Sequence, residues 1–242
     1  MAVDVGLKVK EFMKVPLVVN WLDVPKALFS EEWRMKEYER VKVQCKDADF
    51  LTAISQSTAD EVRQWLGEAC PEIKVNYVGV DLDVYQAFQP TEEDYVCGVV
   101  RGLAKQKNYE EIVQAVQISK TRPKLQLIFG NHSDSQKAKV MSKSLFGLGM
   151  SSLEGFGIYV VEYGWFSKAF IARELSVFRE IYEDAVEYVD SVDEMAEKID
   201  LFVQNREVRD RKGMELHDLI VRKELTLQAH AKRLAEFLQK TI

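Results

Sequence analysis

Short apolar runs, rich in β-branched residues, recur along this chain with helical spacing between them, and that alternation restricts the fold more than any other feature. Segments 15–20 (VPLVVN), 50–54, 73–78, 95–100, 125–130 (LQLIFG) and 145–150 (LFGLGM) each read as buried strands. Strands covered on both faces lose the in-out alternation of half-exposed ones. Helices are expected over about 30–47, over 59–66 after a cap at Ser55 or Ser57, and over 109–119 and 136–144. A βαβαβ order implies parallel pairing with right-handed crossovers, so the expected class is α/β. A short strand at 169–172 follows. From Ser191 onward the spacing predicts helices near 192–203, 208–222 and 225–238, with apolar residues every three or four positions.

The segment 151–166 (SSLEGFGIYVVEYGWF) stands out among the turns. It follows a strand, places Gly155 and Gly157 around Phe156, then becomes apolar and helical. The first amides of such a helix lack internal partners, and the helix dipole adds partial positive charge, so the turn is a ready anion site. Amides from Gly155 to Ile158 are the candidate donors, and glycine lets a ligand approach the backbone closely. Glu154 stands just before the turn, and Glu162 is expected two turns into the helix. Carboxylates beside an anion site suit a neutral group that wants acceptors, such as sugar hydroxyls. Taken singly, each would be a solvated helix carboxylate. A second strand-to-helix turn, after 95–100, carries Arg101, Gly102 and Lys107. Two cations there suit a diphosphate, and without further context they read as a solvated basic loop.

These residues resemble a known family. Glu154-Gly-Phe-Gly-Ile-Tyr-Val-Val-Glu162 is similar to the Glu-x₇-Glu signature of retaining GT-B glycosyltransferases, most closely glycosyltransferase family 4, which typically reads EGFGLPVLEAMA. The segments LVVNWLDVP, ADFLTAISQSTADEVRQW and NYVGVDLDVYQ resemble further stretches of that family, and Lys107 falls on the Lys of its GR-KG turn. Arg101 and Gly102 stand in swapped order relative to that turn. The resemblance implies two Rossmann-like parallel-sheet domains, the N-terminal one reduced, with C-terminal helices. It places an acceptor-side domain at 1–80, a linker at 81–94 and a nucleotide-sugar-binding domain at 95–242, with the last helix crossing back. It implies transfer of a sugar from a nucleoside-diphosphate sugar, needing neither metal nor cofactor. Glu154 would serve the donor sugar and Glu162 the ribose. Arg101 and Lys107 would serve the diphosphate, with Gly102, Gly155, Phe156, Gly157 and Ile158 shaping its cradle. Asp23 lies in the segment that resembles the catalytic-face loop.

The chain departs from the family in length. Only 14 residues precede Val15, and 23 separate Gly130 from Glu154, both fewer than the resemblance would imply. Leu22 stands where the family has a loop histidine. A reduced fold, a homodimer that covers the gap, and a fragment are the three explanations left open. A nucleotide-sugar-binding subunit that needs a partner chain is the alternative function. A phosphorylase or epimerase on the same architecture is open in principle, since fold alone does not fix chemistry, but the EGFG context ranks both lower, and a purely structural module ranks lower too.

Composition bounds the partners. The 33 basic and 39 acidic residues give a net charge of −6, the opposite of a nucleic-acid footprint. No apolar run is long enough to span a bilayer, and residues 1–12 lack the apolar core of a signal peptide. Cys45, Cys70 and Cys97 have no metal-like spacing and read as free thiols of a reducing cytoplasm. The stretch 206–240 holds nine Lys/Arg against six Asp/Glu, which leaves a peripheral membrane contact open. The acceptor class, whether sugar, lipid or protein, also stays open.

Overall fold

The computed structural model describes residues 2–14, 17–22, 35–100 and 105–241. The chain divides into two compact units. The first comprises Met1–Val78, Glu154–Phe156 and Gln228–Ile242, and the second Gly79–Leu153 and Gly157–Leu227. Both are α/β with parallel sheets.

In the first unit, α1 (Ala2–Met13) precedes β1 (Val18–Trp21), α2 (Met35–Lys46), β2 (Phe50–Ala53), α3 (Gln56–Leu66) and β3 (Ile73–Val75). The strands pair in parallel in the order β1-β2-β3, with Val18 opposite Phe50 and Leu51 opposite Ile73. Trp21, Leu51 and Ala53 face Cys45 of α2 and Val62 and Trp65 of α3, the core expected of consecutive right-handed crossovers. Ser55 is the cap of α3, and its side chain accepts the Thr58 amide. This settles the choice left between Ser55 and Ser57.

The second unit opens with α4 (Asp83–Gln86), which falls inside the segment read from sequence as a linker; Tyr85 of α4 is only 2% exposed. Its sheet uses β4 (Tyr95–Val100), β5 (Lys124–Phe129), β6 (Gly147–Gly149), β7 (Phe170–Arg173) and β8 (Glu187–Val189), in the order β5-β4-β6-β7-β8. The helices are α5 (Tyr109–Ile118), α6 (Asp134–Lys143), α7 (Ile158–Trp165), α8 (Ser176–Tyr182), α9 (Val192–Gln204) and α10 (Arg206–Arg222). Val96, Leu148, Ile171 and Val189 present one sheet face to Ile112 and Val116 of α5 and to Met195, Ile199 and Phe202 of α9. Tyr163 of α7 covers the opposite face, with its hydroxyl donating to the Cys97 carbonyl at 3.1 Å. Asp200 ties α9 to the turn after α5, accepting the amides of Lys120 and Thr121 at 2.9 and 2.8 Å. The last helix, α11 (Leu227–Thr241), belongs to the first unit from Gln228 onward.

Two packing details give testable consequences. A Cβ on Gly213 of α10 would lie 1.9 Å from the Ser167 carbonyl oxygen, a backbone atom that cannot swing aside. Alanine at a helical glycine ordinarily stabilises. Here Gly213→Ala should instead cost about 1–3 kcal/mol through overpacking. That lowers the melting temperature by about 2–12 °C for a chain of this size; an unchanged or raised Tm in a calorimetric scan would contradict the packing. Burial raises the thiol of Cys97 to about 12, and burial with the neighbouring Cys70 raises Cys45 to about 11. Burial raises the Cys70 thiol as well, but Cys70 is partly exposed whereas Cys45 and Cys97 are buried, so access separates them. Since the thiolate is the reactive form, an aromatic disulfide reagent at neutral pH should label Cys70 alone in the native protein. Prompt labelling of all three would sink this.

Candidate functional site

The strand order of the second unit locates a site before any motif is consulted. Successive strands step outward from β4 in opposite directions, to β5 on one side and to β6, β7 and β8 on the other. Ligands of open parallel sheets bind beyond the carboxyl ends of the strands at such a reversal. The segments leaving β4 and β6 are the two turns that the sequence singles out.

Their geometry is joined by hydrogen bonds. Lys105–Lys107 forms a 3₁₀ turn. The Gln106 carbonyl accepts the Ser152 amide at 2.8 Å, and the Asn108 side chain donates to the Met150 carbonyl at 3.1 Å. Lys107 Nζ lies 5.3 Å from the ring centroid of Tyr159, the second residue of α7. This cation–π contact holds a positive charge at the start of α7. Arg101, Gly102 and Asp23 lie outside the described residues.

Helix α7 begins without a side-chain cap. Gly157 occupies the cap position in the left-handed region, φ 79° and ψ 55°. A Cβ there would fall 2.5 Å from Phe178 Cε1, so glycine is required both by conformation and by space. The carbonyl of Gly157 accepts the Tyr182 hydroxyl at 2.8 Å, which fixes the turn from below. Ile158 is 42% exposed. The amides of an uncapped helix start thus stand beside Lys107, an arrangement suited to an anion.

Within the first unit, the Gly155 carbonyl accepts the hydroxyls of Ser55 at 2.9 Å and Thr58 at 3.4 Å. Phe156 is 2% exposed, with its ring edge-on to Tyr77 at 6.1 Å. Glu154 is partly exposed.

Glu162 is the fifth residue of α7, one turn into the helix and not two, because the helix starts at Ile158. It is 4% exposed. Its Oε1 accepts the Tyr85 hydroxyl at 2.5 Å and Lys137 Nζ at 3.0 Å. Lys137 also pairs with Asp134 at 2.8 Å. Burial alone would lower the Lys137 pKa, but Glu162 and Asp134 outweigh it and hold it above the ordinary value, so the ammonium persists at neutral pH. Burial, followed by the charge of Glu162, pushes the Tyr85 phenol up, so it stays a donor. Tyr85 and Lys137 were not singled out from sequence, being 77 and 25 positions from Glu162. Lys137 offsets the charge of the buried carboxylate, and the Tyr85 hydroxyl adds a neutral hydrogen bond to it.

Among the described residues, no group of three or more His, Cys, Asp or Glu could hold a metal ion, and no helix is long and apolar enough to cross a membrane.

No sequence-family profile and no curated protein matches the chain. Solved structures do. HepE of Anabaena, in complex with UDP and glucose, is 16% identical; the match covers 98% of this chain and 75% of that one, with a TM-score of 0.78. Sucrose-phosphate synthase of Thermosynechococcus elongatus is 14% identical, with 98% and 71% covered and a TM-score of 0.80. The fold is GT-B-like. The pneumococcal O-GlcNAc transferase GtfA, in complex with UDP and GlcNAc, matches this GT-B-like fold at 14% identity and a TM-score of 0.68, covering 98% of this chain and 55% of its own.

Proposed function

We propose that this chain is a retaining, metal-independent glycosyltransferase of the family-4 type, which moves a sugar from a nucleoside-diphosphate sugar to an acceptor. The observation that carries the reading is the uncapped start of α7 at a strand-order reversal, with Lys107 beside it and the buried Glu162 one turn on. UDP and glucose in the HepE structure, and UDP and GlcNAc in GtfA, support a uridine nucleotide as the first probe.

In this reading the amides of Ile158 and Tyr159, with Lys107 and Arg101, bind the diphosphate and stabilise charge as it builds on the leaving phosphate. Donors fixed in advance toward developing charge lower the barrier by several kcal/mol. Glu162 accepts from the ribose and Glu154 orients the donor sugar. Gly102 shapes the cradle, and Asp23 serves the acceptor side. The acceptor-side domain would be 1–80 and the donor domain 95–242. A cytoplasmic setting with peripheral membrane contact, and a homodimer, belong to the same proposal.

A ligand that binds only the folded state stabilises it by about 2.7 kcal/mol at 100 times its Kd. UDP at that excess should therefore raise the melting temperature by about 5–10 °C, and a panel with GDP and ADP should rank the bases. No shift with any nucleoside diphosphate would overturn the proposal.

The sheet of the first unit, three-stranded among the described residues, favours a second reading: a nucleotide-sugar-binding subunit that depends on a partner. Hydrolysis of UDP-glucose by the isolated chain supports the enzyme; binding without turnover supports the subunit.

A further inference from the structure

The first unit carries a cavity lined by its own residues alone. Its sheet buries one face against α2 and α3, and the other face mixes polar side chains with Phe50. The register sets Asn20 opposite Thr52 and Thr52 opposite Lys74, and Thr52 Oγ1 donates to Asn20 Oδ1 at 2.9 Å. Helix α11 lies over this face, with Phe237 edge-on to Phe50 at 5.8 Å. Between sheet and helix opens a cavity of about 370 Å³, lined by Thr52, Lys74, Asn76, Arg233, Phe237 and Lys240, with Glu236 the one acidic residue among its lining. Small-ligand sites have this size and this mixture of apolar wall and few convergent polar groups.

Three cations against one carboxylate is a local reversal in a chain of net charge −6. Arg233 is fixed in place: its Nε donates to Asn76 Oδ1 at 3.1 Å and its Nη2 to the Tyr77 carbonyl at 3.0 Å. Lys74 and Lys240 make no ion pair among the described residues and so have charge to offer. Lysine ammonium groups serve as mobile point charges for phosphate. The exposed Glu236 adds an acceptor for hydroxyls, and Phe237 adds an apolar wall.

We propose that this cavity binds a phosphorylated sugar, its phosphate held by Lys74 and Lys240 beside Arg233. The site does not depend on the transfer reaction proposed above. Calorimetric titration of the full chain with glucose 6-phosphate, in low salt and with UDP present in excess, tests it; glucose is the uncharged control. Saturable binding of glucose 6-phosphate is expected, weakened at least tenfold by added salt and by the exposed pair Lys74→Glu/Lys240→Glu, with UDP affinity unchanged in that variant. Absence of binding, equal binding of glucose, competition by UDP, or binding untouched by the charge reversal would each overturn it. Failure of UDP binding would leave this test standing and would count against the transferase reading alone.

Discussion

Glu162→Ala should weaken UDP binding by about 10- to 150-fold, the equivalent of one charge-assisted hydrogen bond of about 1.5–3 kcal/mol. It should also lower stability. Removing the carboxylate leaves the Tyr85 hydroxyl without its 2.5 Å partner and leaves the Lys137 ammonium with Asp134 alone. A buried polar group stripped of its partner costs about 1–3 kcal/mol, and the 21% exposure of the Lys137 side chain keeps the loss within that range. The isosteric Glu162→Gln separates the two effects. It keeps the volume and an acceptor oxygen, so the fold should hold while the lost charge still weakens nucleotide binding. Glu154→Ala should mainly reduce turnover and leave UDP affinity nearly intact. Equal loss of nucleotide affinity in the Glu154 and Glu162 variants would contradict the division of roles between sugar and ribose.

Gly157→Ala should be the most damaging small substitution in the turn. A left-handed alanine costs about 1–2 kcal/mol from backbone conformation alone. Its Cβ would also meet the Phe178 ring at 2.5 Å, and Phe178, 1% exposed, has no open space to yield into. Overpacking adds about 1–3 kcal/mol. The sum of about 2–5 kcal/mol should lower the melting temperature by about 4–20 °C, measured by circular dichroism. UDP affinity should fall with it, since the start of α7 must shift. Adding Phe178→Leu should recover the steric part and leave the conformational part. A single variant with normal Tm would show that Gly157 is not left-handed.

Most of the fold was legible because buried strands declare themselves as continuous apolar runs. Tyr95–Val100 and the strands near 50 and 125 lie within a residue of their expected bounds. Residues 73–78 read too long: β3 stops at Val75, and the buried Asn76 follows, its side chain bonded to His230 and Arg233. Helix α1 was not anticipated, because Val3, Val5, Leu7 and Val9 alternate with the period of a strand. The glycine turn could be read because its residues are adjacent in sequence. The Tyr85–Glu162–Lys137 cluster could not, since it assembles from three helices. The contact of Lys107 with Tyr159 likewise depends on β4 and β6 being neighbours in the sheet, which no local pattern encodes.

Backbone amide NMR of the ¹⁵N-labelled protein during UDP titration tests the central claim most directly. Saturable shifts led by the amides of Ile158 and Tyr159, and reproduced there by inorganic pyrophosphate, are the predicted result. UDP binding that leaves those two amides unmoved would contradict it.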